Sequence, residues 1–285
     1  MSYYSVLLLL FGGFGVFVLG LYFFLQIRKD EKLHKLLIKP FKEEYREYLK
    51  KIPHYRNLTK EDKEKIERSI ILFSGTKEFI GVDLEVSIQM KVIIAFYACL
   101  LLLRKTKTDC YNNVKTIIIY PNAVAFESIQ ASNGIYSKEK FLIDGQATID
   151  TVIIIWNDAK KEAYQLRHNN VIIHEFTHEI DFMDGEIDGI PPIEHSKYDA
   201  WTEDFYGEYK KLSEVVLKDR EWGKYELLGS YASKNEAEFF AVVTERFFES
   251  PKTLKKHFPE LYSELKDFFK IDTIKLIRGA RNDNY

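Results

Sequence analysis

The sequence predicts a mainly helical α+β protein with one small β-sheet, preceded by a single N-terminal transmembrane helix. Three observations lead there. Val6–Leu25 is an uncharged apolar run of about the length that crosses a bilayer as a helix. Beyond it, apolar residues recur mostly at helical spacing behind serine, threonine or asparagine starts. Three short β-rich runs interrupt this pattern near the middle of the chain, at 114–120, 124–131 and 151–156.

The apolar run reads as an anchor rather than a cleaved signal. No lysine or arginine precedes it, its core is long, and Arg28 and Lys29 follow it. Lys32, Lys35, Lys39, Lys42 and Arg46 extend the basic flank, so the positive-inside rule places the rest of the chain in the cytoplasm. The expected division is a membrane anchor at 1–27, a juxtamembrane segment at 28–58 broken by Pro40 and Pro53, a folded domain at 59–270 and a polar tail at 271–285. A net charge of -2 spread over mixed-sign segments offers no basic surface for nucleic acid. Cys99 and Cys110 lack CxxC spacing, which argues against a disulfide framework or a thiolate metal site and fits a reducing compartment.

Within the domain, Thr59-Lys-Glu-Asp62 is a capping box for a helix reaching about Phe73, with Ile66, Ile70 and Phe73 on one side. A second helix, Leu84 to Arg104, carries an apolar stretch too short to cross a bilayer and belongs at the centre of the domain. The β-rich runs follow, with turns such as Asn133-Gly134 and Asp144-Gly145, and predict a small mixed or antiparallel sheet. Helices resume from Asp158 to Arg167 and from a capping box at Ser196-Lys-Tyr-Asp199 through Trp201, Phe205, Leu212 and Val216. A last capping box, Ser233-Lys-Asn-Glu236, starts a helix that runs to Phe248 and stops before Pro251.

The chemistry concentrates in VIIHEFTHEIDFMDG, Val171 to Gly185, one amphipathic helix with an HExxH signature. His174 and His178 lie one turn apart on the same face, as two imidazole ligands of a tetrahedral zinc require, and Glu175 sits beside them without being a ligand. Asn169 or Asn170 caps the helix, Ile172, Ile173, Phe176, Ile180 and Met183 pack it, and Gly185 ends it. Asp181, on the histidine face, suits an acceptor that orients an imidazole. HExxH fixes only three positions and also arises by chance, so a third ligand decides the matter. Glu238 lies in the apolar body of the 233–248 helix, where a carboxylate needs a cation or hydrogen bonds. Spacing alone favours it only slightly, leaving Glu236, better explained as a cap, and Glu245, two turns on along the same side, open as alternatives.

The segments NLTKEDKEKIERSIILFSGTKEFIGVDLEVSIQMKVIIAFYACLLLL, VKTIIIYPNAV, HEFTHEIDFMDG and GSYASKNEAEFFAVVTERFFESPKTLKKHFPELYSELKDFF together resemble the Mlc titration factor A family of zinc peptidases, over about Asn57 to Phe269. The resemblance implies a zincin-like fold akin to the catalytic domain of anthrax lethal factor. It also implies a Zn2+ ion on His174, His178 and Glu238, with Glu175 catalytic and Tyr231 a further catalytic residue seven positions before the glutamate ligand. The best-known members are soluble, whereas this chain opens with an anchor, so the expected location is the bacterial plasma membrane, single-pass, with the catalytic domain cytoplasmic. The expected activity is hydrolysis of a peptide or protein substrate, exo- or endopeptidase left open, aminopeptidase included. The edge of the 151–156 strand, at Ile154, Ile155 and Trp156, is the candidate peptide-binding segment. The rival reading is a membrane-tethered protein that sequesters a transcriptional regulator and keeps zinc for structure, since binding of a sugar-regulated repressor named the family. His34, His54, His168 and His195 have no partner spacing and read as solvated or hydrogen-bonded.

Overall fold

The computed structural model describes residues 3–104, 111–122, 150–167, 169–219 and 222–278. The chain divides into two compact units, Met1–Phe41 and Lys42–Tyr285. The first is a single helix, α1 (Tyr3–Leu37), whose stretch Phe11–Leu37 is long and apolar enough to cross a membrane. Large side chains along its apolar stretch are exposed, Phe11 at 70% and Phe17 at 66%, and that stretch has no polar face.

The second unit begins earlier than residue 59. Helices α2 (Glu43–Leu49) and α3 (Pro53–Arg56) bury Leu49, Ile52, His54 and Tyr55 in it, and the Arg46 guanidinium grips both oxygens of Glu67 at 2.9 and 2.8 Å. The charged residues of this stretch form the outer face of two packed helices. Thr59 caps α4 (Lys60–Thr76), accepting from the Asp62 N–H at 3.2 Å, and the helix continues one turn past Phe73.

A strand unrecognised in the sequence follows, β1 (Glu78–Gly81), whose four residues are only half buried and too few to show a period. Helix α5 (Ile88–Leu101) then starts at Ser87, not Leu84, because the Ser87 hydroxyl accepts from the Met90 N–H. Val92 to Leu101 are all buried, which makes α5 the central helix of the unit. Strands β2 (Thr116–Tyr120) and β3 (Thr151–Ile155) complete the sheet in the order β1-β2-β3, with Ile80 opposite Ile118 and Ile118 opposite Ile153. Both pairings are parallel, which corrects the mixed or antiparallel expectation. A helical crossover, here α5 between β1 and β2, brings the chain back to start each strand at the same end. The run at 124–131 and its turns lie outside the described residues.

Helix α6 (Trp156–Ala163) takes over directly from β3, so Trp156 opens a helix and does not close the strand. Helix α7 (Val171–Asp181) is the HExxH helix and passes through a short 3-10 turn to Gly185 at φ 102°. Met183, expected to pack, lies on that turn and is 40% exposed. Helix α8 (Tyr198–Leu217) grows out of a 3-10 turn at His195–Lys197 with no side-chain cap from Ser196. Helix α9 (Glu236–Glu249) is capped by Asn235, which accepts from the Glu238 N–H at 2.8 Å, in place of the Ser233 box. Helices α10 (Pro251–His257), α11 (Pro259–Phe269) and α12 (Thr273–Arg278) close the unit, so the expected loose tail holds a helix at 273–278. The aromatic core joins α8, α9 and α11. Trp201 stacks on Phe205 at 4.1 Å and meets Phe240 and Phe268 edge-on.

Candidate metal centre

The start of α7 is held by acidic groups drawn to its positive end. The Asn170 carboxamide caps it, accepting from the Ile173 N–H at 3.2 Å and donating to Glu249 at 2.8 Å. Glu162 accepts from the Val171 N–H and Glu245 from the Asn170 N–H, each at 2.7 Å. Burial pushes the Glu162 carboxyl up to about 7 and that of Glu249 well above its ordinary range. Because Asn170 meets Glu249 while His174 meets Glu238, α7 and α9 run in opposite directions, and their facing sides bring the functional groups together.

His174, Glu175, His178 and Glu238 are all buried, at 1%, 7%, 5% and 1% exposure. The Nε2 atoms of His174 and His178 are 3.3 Å apart, and Glu238 Oε2 lies 3.0 Å from the first and 3.5 Å from the second. Zinc bonds of about 2.0–2.1 Å at tetrahedral angles separate neighbouring donors by about 3.3–3.4 Å, so this triangle has the edges of such a site. The hydrogen bonding makes the same point. His174 Nδ1 lies 2.8 Å from Glu245 Oε1, and a carboxylate there can only accept. With Nδ1 carrying a proton, the other nitrogen of His174, Nε2, faces the Glu238 carboxylate, so a cation belongs between them, a proton on Nε2 or a metal ion in its place. Burial disfavours an imidazolium at His174, but the two carboxylates outweigh it and raise its pKa to about 10. Burial likewise works against the Glu238 carboxylate, and its contacts with the two histidines outweigh that and hold it far below its usual range. Two imidazole nitrogens and one carboxylate oxygen are a donor set suited to zinc.

Tyr231 sits in the 3-10 turn Ser230–Ser233 that leads into α9, half buried, with its ring 5.9 Å from that of His174. The structure thus brings His174, His178, Tyr231 and Glu238 together, with Glu175 buried next to His174 on the same helix. Asp181 is a correction. Its Oδ2 accepts from the Gly189 N–H at 2.9 Å, fixing the loop after α7, while the imidazole-orienting carboxylate is Glu245. Glu245 was legible as lying on the Glu238 side two turns on, but its direction across to α7 was not. Lys234, not expected, places its ammonium 3.7 Å from Glu238 Oε1 and over the Tyr231 ring. The side chains of Ile154, Ile155 and Trp156 are buried in the core at 0%, 5% and 7% exposure, so only main-chain groups of β3 remain for a peptide.

A helix bearing His-Glu-x-x-His, completed by a glutamate from a second helix, defines a metallopeptidase-type centre. The chain belongs to the glucose-regulated metallo-peptidase M90 family, which matches residues 25–270. An uncharacterised protein of Synechocystis sp. is 31% identical over 231 residues, 79% of this chain and 82% of that protein. Mlc titration factor A of Serratia proteamaculans is 28% identical over 199 residues, 69% of this chain and 74% of its own length. The protein of that name from Yersinia pestis is 27% identical over 169 residues, 58% and 62% of the two chains.

Proposed function

We propose that this chain is a zinc-dependent peptidase held at the membrane by α1, with its folded unit on the cytoplasmic side. The observation that carries the reading is the donor triangle of His174, His178 and Glu238, with His174 oriented by Glu245. Zinc, when bound, lowers the pKa of a water it holds to around 7 and polarises a carbonyl. Glu175, on the turn between the two histidines, takes a proton from the attacking water and returns one to the leaving amine. The Tyr231 hydroxyl donates to the carbonyl oxygen as it gains negative charge. Glu245 keeps the Nε2 lone pair of His174 aimed at the triangle. An extended substrate pairs with the main chain of β3, which among the described residues pairs only with β2.

The test is zinc content and hydrolysis of a peptide library by the full chain in detergent. The parent and Glu175→Gln should each hold about one zinc per chain, with turnover lost in the variant, and hydrolysis surviving in Glu175→Gln would reject the assignment. A second reading, tethered capture of a regulator, draws on the name titration factor carried by relatives. It predicts a partner that binds the parent, Glu175→Gln and His174→Ala proteins equally well.

A further inference from the structure

Outside the donor triangle, the cavity of most interest has a volume of about 180 Å³ and lies between α8, the start of α9 and the loop at Asp188–Ile190. Its walls are rings. Trp201, Phe205 and Phe239 form the buried floor, and Tyr206 and Tyr209 stand nearer the solvent. Two carboxylates edge it, half-buried Glu236 and exposed Asp188, and at its rim the Lys210 ammonium lies 4.4 Å from the centroid of the Tyr206 ring. Thr202 also lines it, with its Oγ1 shielded from solvent.

The cavity adjoins the metal centre through both helices that supply donors. Glu236 and Phe239 flank Glu238 in the first turn of α9, and Gly189 is tied to Asp181, the last residue of α7. Gly189 itself, at φ 79°, packs so closely on the Glu236 backbone that an added Cβ would lie 2.6 Å from its carbonyl oxygen. The main chain that carries Asp188 and Glu236 is therefore tied to the two helices that supply the donors.

We infer that this cavity is a subsite for a lysine or arginine side chain of the substrate. The aromatic walls take the methylene stem, and Glu236 and Asp188 pair with the charge. An acidic side chain is repelled, and a small one leaves the cavity unfilled. The inference deepens the peptidase reading and rests on it for the meaning of the site, though not for binding itself.

The experiment uses the full chain in detergent and a set of peptides that differ only in one residue: lysine, arginine, norleucine, alanine or glutamate. Hydrolysis is followed in the parent, and binding by fluorescence anisotropy in Glu175→Gln. Lysine and arginine should exceed norleucine by about tenfold in kcat/KM and in affinity, falling to about twofold on adding Glu236→Gln. Since Glu236 also opens α9, Asp188→Asn on the exposed loop is the second variant and should lower the preference about threefold. Hydrolysis without a basic preference would overturn the subsite and leave the peptidase standing. Absent hydrolysis, basic-peptide binding to Glu175→Gln that depends on Glu236 would sustain the subsite and reject the peptidase. Peptide binding indifferent to both carboxylates would overturn the subsite.

Discussion

Replacing Glu245 by glutamine tests whether the centre depends on a single carboxylate behind its first histidine. Glu245, its side chain 2% exposed, accepts two hydrogen bonds, from His174 Nδ1 at 2.8 Å and from the Asn170 N–H at 2.7 Å. An amide of the same shape offers one oxygen and one NH2, so one of the two donors must face a donor. If the oxygen stays on Asn170, the NH2 faces Nδ1 and favours the tautomer with its proton on Nε2, removing a lone pair from the triangle. A hydrogen bond to a charged acceptor contributes about 1.5–3 kcal/mol, and loss of such an outer partner costs about 10–100-fold in metal affinity, or about 1.4–2.7 kcal/mol. The two routes agree. Competition titration of the full chain against a chromophoric chelator should show the zinc Kd of Glu245→Gln raised 10- to 100-fold, with the far-ultraviolet spectrum unchanged. A Kd within twofold of the parent, in a preparation where Glu238→Ala loses zinc, would refute the reasoning.

Acid stability should depend on His54. Burial depresses its pKa from 6.5 to about 4, against the opposing hydrogen bond its Nε2–H makes to the Phe248 carbonyl at 3.1 Å. Between those values the unfolded chain binds a proton that the folded chain excludes, so stability is fully present above pH 6.5 and falls toward pH 4 by up to about 3 kcal/mol. Urea midpoints at pH 7 and 4.5 should show a smaller loss in His54→Gln than in the parent. Asn170→Ala removes the cap of α7 and leaves Glu249 short of a donor, at a cost of about 2–4 kcal/mol by chemical denaturation. Gly189→Ala forces a side chain onto φ 79° and against the Glu236 backbone, and should cost about 2–4 kcal/mol, read as a lower melting temperature of the second unit.

What the sequence determined by itself was local. The length of the α1 run, the one-turn spacing of His174 and His178, the Thr59 and Asn170 caps and the apolar body of α5 are properties of a few neighbouring residues, and each acts before any tertiary contact forms. Capping already showed the limit of that logic. Ser196 and Ser233 matched the pattern as well as Thr59 did, yet the helices start at Tyr198 and at Glu236 behind Asn235, since the packing of α8 and α9 chose which turn became regular. The direction of the sheet was decided by the crossover through α5 and by a four-residue strand, β1, too short to declare itself. At the centre, HExxH fixed two imidazoles, but the two carboxylates against His174 lie 64 and 71 residues away, at Glu238 and Glu245. Asp181, close in sequence and on the right face, was taken by the Gly189 loop instead. Only the antiparallel packing of α7 on α9 assigns one carboxylate to each side of His174, because a buried acid's role is set by which donor it meets across the interface, a contact that no periodicity along either helix records.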